Sequence, residues 1–150
     1  MIKFAIRELK NSDFENGFFE TLSNLSQIGS INHTTESAAR VLKTIRDNNI
    51  SRIYVAESDD GQIIGSITLL LEQKFIHNGG KVGHIEDVVT RKEYSGQGIG
   101  SALVQKCVDV ARKENCYKVI LDCSQNNIPF YEKAGFRKYE VSMRYDIESQ

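Results

Sequence analysis

Three glycines at alternate positions, Gly96, Gly98 and Gly100, stand in the stretch EYSGQGIGSALV just before an amphipathic run. Backbone without side chains at the mouth of a helix offers unpaired N–H groups and the positive end of the helix dipole, and both attract an anion. Several readings of this trio compete. A phosphate loop closing on Gly-Lys-Ser/Thr has no counterpart here. A dinucleotide fingerprint needs G-x-G-x-x-G near the start of a βαβ unit, with an acid about 20 residues on. Here the pattern is G-x-G-x-G and falls late in the chain, although Asp122 lies at a suitable distance. A tight turn with glycines that let a helix pack on a sheet is equally compatible with the trio alone.

A second set of candidates could handle protons. Asp122 follows a run of apolar residues, at the carboxyl end of an expected strand, where ligand sites of α/β proteins lie. Glu86 and Asp87 are neighbours, so a regular strand would send them to opposite faces. Tyr131, in NNIPFYEKAGF, reads either as packing on a short helix or as a phenol donor. The histidines (His33, His77, His84) and the acids lack ligand spacing, so no metal is expected. The three cysteines are odd in number and lack metal spacing, which suits reduced thiols in a cytoplasmic protein, with Cys107 and Cys123 in the core.

The elements that must position these groups follow from periodicity. Lys3 to Leu9 alternates as a first strand, and Ser12 or Asp13 can cap a helix with apolar face Phe14, Phe18, Leu22 and Leu25. A second helix spans about Glu36 to Asp47. RIYVAES and QIIGSITLLLE form a hairpin around the turn Asp59–Gly61. After a second turn at Asn78–Gly80, VGHIEDVVT is a strand ending just before the glycines. From Ile99 the apolar residues keep helical spacing to Ala111. YKVILDC reads as a strand buried on both faces. NNIPFYEKAGF is a short helix capped by Asn126 or Asn127 and ended by Gly135, and RKYEVSMRYDI alternates as a last strand. The order β α α β β β α β α β describes one mixed α/β domain over residues 1–150.

The bulk numbers exclude several classes. A chain of 150 residues, 40% hydrophobic and 26% charged, is globular by composition. With 19 basic against 20 acidic residues and no block of like charge, nucleic acid is not an expected partner. The longest apolar run, Ile63–Leu71, is interrupted by Gly65, Ser66 and Thr68, so no membrane partner is expected, and MIKFAIRELK lacks the pattern of a signal peptide.

The glycine segment resembles motif A of the GNAT acetyltransferases, Gln/Arg-x-x-Gly-x-Gly/Ala, with Ser95 where the family has Gln or Arg. GHIEDVV, NCYKVILDC and NNIPFYEKAGF stand in the order and spacing of the glucosamine-6-phosphate N-acetyltransferase branch, which serves UDP-N-acetylglucosamine biosynthesis. The resemblance implies the GNAT fold, a mixed and mostly antiparallel sheet flanked by helices with one splayed pair of parallel strands. It implies acetyl-CoA as cosubstrate, its pyrophosphate on the backbone of Gly96, Gln97, Gly98, Ile99, Gly100 and Ser101. Its pantetheine arm would lie along Val88, Val89 and Thr90, beside Asn126 and Asn127. An N–H near Val88 would polarise the thioester carbonyl, Tyr131 would face the thiol and Asp122 would hold the attacking amine.

On the acceptor side the resemblance implies Ser26 near the sugar and Lys74 and His77 in a phosphate-proximal loop. Tyr117 and Lys118 would reach the phosphate across a homodimer interface, and one of Glu86 and Asp87 would reach the sugar. The family's phosphate-gripping arginine falls on Asp146, and Arg144, on the same strand face, could replace it. Another acceptor amine, or a CoA-binding module without turnover, are the competing functions.

Overall fold

The computed structural model describes residues 1–31 and 34–148; His33 lies outside them. One five-stranded sheet runs in the order β1 (Phe4–Glu8), β2 (Ser51–Ser58), β3 (Ile63–Gln73), β4 (Lys81–Thr90) and β5 (Cys116–Leu121). The first three pairings are antiparallel, and β4 with β5 is parallel. The helices are α1 (Phe18–Ser23), α2 (Thr35–Asp47), the single turn α3 (Ile76–Gly79), α4 (Ile99–Lys113) and α5 (Ile128–Lys133). No helix is long and apolar enough to cross a membrane among the described residues.

Helix α4 turns Ile99, Leu103, Val104, Cys107, Val110 and Ala111 onto one face of the sheet, against Ile64, Ile67, Leu69 and Ile85. Its first turn can approach β3 because position 65 is glycine. A Cβ there would lie 2.8 Å from Ile99 Cγ2. Phe18 of α1 and Leu42 of α2 close a second cluster with Leu9, Val55 and Ile63. Thr34 caps α2, its hydroxyl accepting from the Ser37 N–H at 3.0 Å.

Five expectations are corrected. The first helix is broken: Asn11–Glu15 winds as a 3-10 turn, and α1 begins afresh after Gly17, at φ 92°. Asp13 does not cap from the surface. It is buried, its carboxylate accepting two bonds from Arg7 at 2.7 and 2.8 Å and one from the Lys10 N–H at 2.9 Å, which offset its desolvation. Strand β5 is not enclosed on both faces. It is the sheet edge, and all six residues are half-buried. Cys107 is core, where burial pushes its thiol up to about 12, but Cys123 lies past the end of β5 and is exposed. The last strand does not form: residues 137–148 carry no regular structure, and Val141, Met143, Tyr145 and Ile147 are 84 to 93% exposed. Their alternation is that of a strand, yet in the single chain the tail pairs with neither edge strand, β1 or β5.

Candidate active site

The parallel pairing of β4 with β5 stops at Ile85 and Leu121. Beyond that point Glu86 to Thr90 runs on with no β5 neighbour, so the strands splay and leave one edge of β4 open. A cleft of about 400 Å³ occupies the splay. Ile85, Glu86, Asp87 and Val88 line one side, Leu121 to Ser124 the other, Leu25 and Ser26 form a wall, and Asn127 and Tyr131 close it.

Glu86 and Asp87 both line the cleft, so the alternation of a regular strand does not hold here. Between Ser66 and Thr68 the β3–β4 register shifts, pairing Ser66 with Val89 and Thr68 with Glu86, so β4 carries an extra residue there. Asp87 takes it up at φ 50°, in the left-handed region. The bulge breaks the two-residue alternation, and both residues line the cleft together with Asp122. Although Glu86 reaches solvent, desolvation and the charges of Asp122 and Asp87 hold its carboxyl above the usual carboxylate range.

The glycine segment stands at the start of α4. Gly98 is its N-cap at φ 83°, Gly96 has φ 77°, and a Cβ on either would meet nothing within 4 Å. These two glycines are needed for backbone conformation and leave open space before the N–H groups of Ile99, Gly100 and Ser101. Gly100 differs: its Cβ would sit 3.2 Å from Phe130 Cζ, so its bareness lets α5 pack against α4. The Gln97 side chain is engaged elsewhere, accepting from the Ile2 N–H at 2.9 Å, which leaves its backbone for a ligand. Val89 is buried and Thr90 half-buried, so these residues too offer a ligand chiefly main-chain atoms.

Tyr131 is nine-tenths buried, its ring edge-on to Phe130 and Phe136 at 4.9 and 6.0 Å. Its hydroxyl has no hydrogen-bond partner among the described residues. Burial, with Cys123 nearby, holds the phenol above its ordinary pKa, so it stays protonated. Asn127 lines the cleft beside it, with Asn126 exposed one residue earlier. Cys123, Ser124 and Leu25 belong to the lining and escaped sequence reasoning, because only the splay turns the residues after β5 inward.

The remaining candidates lie elsewhere on the chain. Lys74, His77, Tyr117 and Lys118 gather at the other end of the parallel pair, where Lys81 meets Cys116. There the His77 ring stacks on Tyr117 at 4.0 Å, Lys74 pairs with Glu72 at 2.8 Å, and Lys118 lies over the Tyr139 ring at 5.0 Å. Arg144, on the exposed tail, pairs with Asp146 at 2.6 Å. A second hollow, about 260 Å³, lies between α2 and the start of β2, but its guanidiniums are committed: Arg46 to the Leu9 carbonyl and Arg52 to Glu114. Among the described residues no cluster of three potential ligands could hold a metal.

A helix N-terminus opening on left-handed glycines, next to the unpaired edge of a splayed strand pair, suits a ligand with an anionic end and an extended amide-bearing arm. Comparison with known proteins agrees. Over 152 residues the chain is 36% identical to the glucosamine 6-phosphate N-acetyltransferase of Trypanosoma brucei brucei, 98% of each being covered. It is 38% identical to that of Arabidopsis thaliana over 142 residues, covering 93% of this chain and 94% of the other. The crystal structure of the Arabidopsis enzyme superposes with a TM-score of 0.92 at 38% identity, over 97% of this chain and 99% of that one. Residues 5–136 match the acetyltransferase (GNAT) family, and the chain belongs to that family.

Proposed function

We propose that this chain transfers the acetyl group of acetyl-CoA to the amine of glucosamine 6-phosphate, giving N-acetylglucosamine 6-phosphate and CoA. The observation that carries this reading is near full-length likeness to enzymes of that name, joined to a cleft with carboxylates on its acceptor side. Acetyl-CoA supplies the activated acyl group. The glycine loop fits its pyrophosphate, because both left-handed glycines face open space, and the open edge of Val88 to Thr90 fits an amide-bearing arm.

In this reading the chain does three things. An N–H at the bulge near Val88 polarises the acyl carbonyl, a preorganised contact worth ~3 kcal/mol. The Asp122 region and Glu86 hold the amine, and Glu86, directly or through water, takes the proton it loses as the new C–N bond forms. Tyr131 gives its proton to the sulfur as the C–S bond breaks. Glu86→Gln tests the base role. The raised pKa means that the wild-type advantage in kcat, about tenfold or more at neutral pH, shrinks toward one as pH falls through the Glu86 pKa. A ratio that stays constant with pH leaves Glu86 a positioning role only.

Homodimerisation belongs to the same proposal, and the reducing cytoplasm suits the three free thiols. Strand β5 ends the sheet half-exposed, and the tail presents alternating apolar residues without a partner. A second chain can satisfy both. It would also supply what one chain separates: Lys74, His77, Tyr117 and Lys118 stand a strand length from Asp122 and could meet the phosphate only from the partner. Sedimentation of the chain as a monomer at micromolar concentration would sink this part.

Thiol release from acetyl-CoA over a panel of amino sugars, with and without the 6-phosphate, decides the substrate. We expect turnover of glucosamine 6-phosphate well above glucosamine, and absence of that preference overturns the assignment. Arg144→Ala should raise KM for the phosphorylated sugar roughly tenfold, the effect of one charged hydrogen bond, and leave glucosamine unchanged. Equal effects on both sugars, or none, remove Arg144 from the phosphate site.

A further inference from the structure

Arg91 is a buried cation that acetyl transfer does not use. It follows β4 directly and precedes the glycine loop, yet its side chain is 8% exposed and turns away from the loop into α1. Its Nε donates to Thr21 Oγ1 at 2.9 Å, and that hydroxyl donates to the Ile63 carbonyl at 2.6 Å. Its Nη2 donates to the Gly17 carbonyl at 3.1 Å and lies 3.4 Å from Glu20, while Nη1 is 3.9 Å from Glu93. A Cβ on Gly17 would sit 1.9 Å from Nη2, so α1 starts on a glycine partly because the guanidinium occupies that space. The next residue adds a second tether, the Lys92 N–H donating to Asn24 Oδ1 at 3.1 Å.

The far end of α1 is the acceptor wall. Leu25 and Ser26 line the cleft, both exposed, and their amides donate to the Leu22 carbonyl at 2.9 and 3.2 Å. A short helix end with so little burial holds its position through its tethers. Both tethers come from Arg91 and Lys92, the first residues of the stretch that joins the open β4 edge to the glycine loop. A buried guanidinium is costly unless several acceptors hold it, and every partner here but Glu93 belongs to α1 or to its N-cap, Gly17.

We propose that Arg91 is a positioning residue that couples the two halves of the cleft: filling the glycine loop fixes Arg91 and Lys92, and through them orders Leu25 and Ser26. This rests on the loop's role as the cosubstrate site and is independent of which amine is acetylated. Acetyl-CoA bound first would then raise affinity for the acceptor, and the acceptor would raise affinity for acetyl-CoA by the same factor.

Amide hydrogen exchange tests it, with CoA itself as the probe at saturation, in the wild type, Arg91→Lys and Thr21→Val. Thermal melting confirms folding, and Thr21→Val keeps the guanidinium in place if Arg91→Lys does not fold. In the wild type CoA should slow exchange at Leu25 and Ser26 at least fivefold. In the variants the effect should drop below twofold while Ile99, Gly100 and Ser101 still respond. A merely structural Arg91 would speed exchange equally with and without CoA, leaving the ratio intact, and that result overturns the proposal. So does a wild type whose loop responds while Leu25 and Ser26 do not. Silence at Ile99–Ser101 in the wild type removes the cosubstrate reading of the loop and the coupling with it. Absence of turnover with amino sugars, seen in the thiol assay, removes only the substrate assignment.

Discussion

Gly98→Asp lowers acetyl-CoA affinity at least a hundredfold in a protein that still folds, measured by calorimetry on the purified variant. Folding should survive because Gly98 precedes the first turn of α4 and a Cβ there meets nothing within 4 Å. The left-handed conformation at φ 83° costs a non-glycine residue about 1–2 kcal/mol, less for aspartate than for most. Binding fails for the same reason that the helix tolerates the change. The carboxylate accepts the first-turn N–H groups meant for the pyrophosphate and adds negative charge about 5 Å from it, worth roughly 3 kcal/mol of repulsion at an effective dielectric constant of 20. A hundredfold loss is about 2.7 kcal/mol. Gly98→Asn separates the parts, since it keeps the bulk and the capping oxygen without the charge. Unchanged affinity in Gly98→Asp would reduce the glycines to packing residues.

Tyr131→Phe lowers kcat by ~10²–10³-fold and leaves KM for acetyl-CoA within about threefold. The substitution keeps the ring, and with it the edge-on contacts to Phe130 and Phe136, so the fold has little to lose. It deletes a hydroxyl that has no partner among the described residues and that burial keeps protonated. A donor held neutral above its ordinary pKa, which bonds the sulfur as the thiolate departs, is an interaction made late in the reaction. Its removal therefore shows in kcat rather than in binding. Presteady-state thiol release establishes that chemistry limits the rate. A loss below threefold under that condition would return Tyr131 to packing.

Local signals carried much of the fold. Strands β1 to β4 declare themselves by period two and by their turns, and α4 by apolar residues recurring at helical spacing from Ile99 to Ala111. Gly96 and Gly98 are legible because an N-cap and a left-handed turn are properties of a few consecutive residues. The resemblance of HIEDVV and NNIPFYEKAGF brought Tyr131, Asp122 and the open β4 edge into one reading, and they do line or border one cleft.

The tertiary structure decided what depends on residues far apart in the chain. Glu86 and Asp87 share a cleft because β3 and β4 shift register, and a bulge cannot be read from β4 alone. The first helix breaks before Gly17, where a side chain is excluded by Arg91, 74 residues later. Cys123 is apolar enough for a core, but it falls past the end of β5 and lines the open cleft, where it is exposed. The apolar run of β5 states that it is to be covered without stating by what, and in one chain it is an edge. The tail from 137 to 148 has the alternation of a strand, yet period two specifies only which side chains share a face. Whether that face is buried depends on an edge to pair with, and strand pairing is a contact between segments that no single segment encodes.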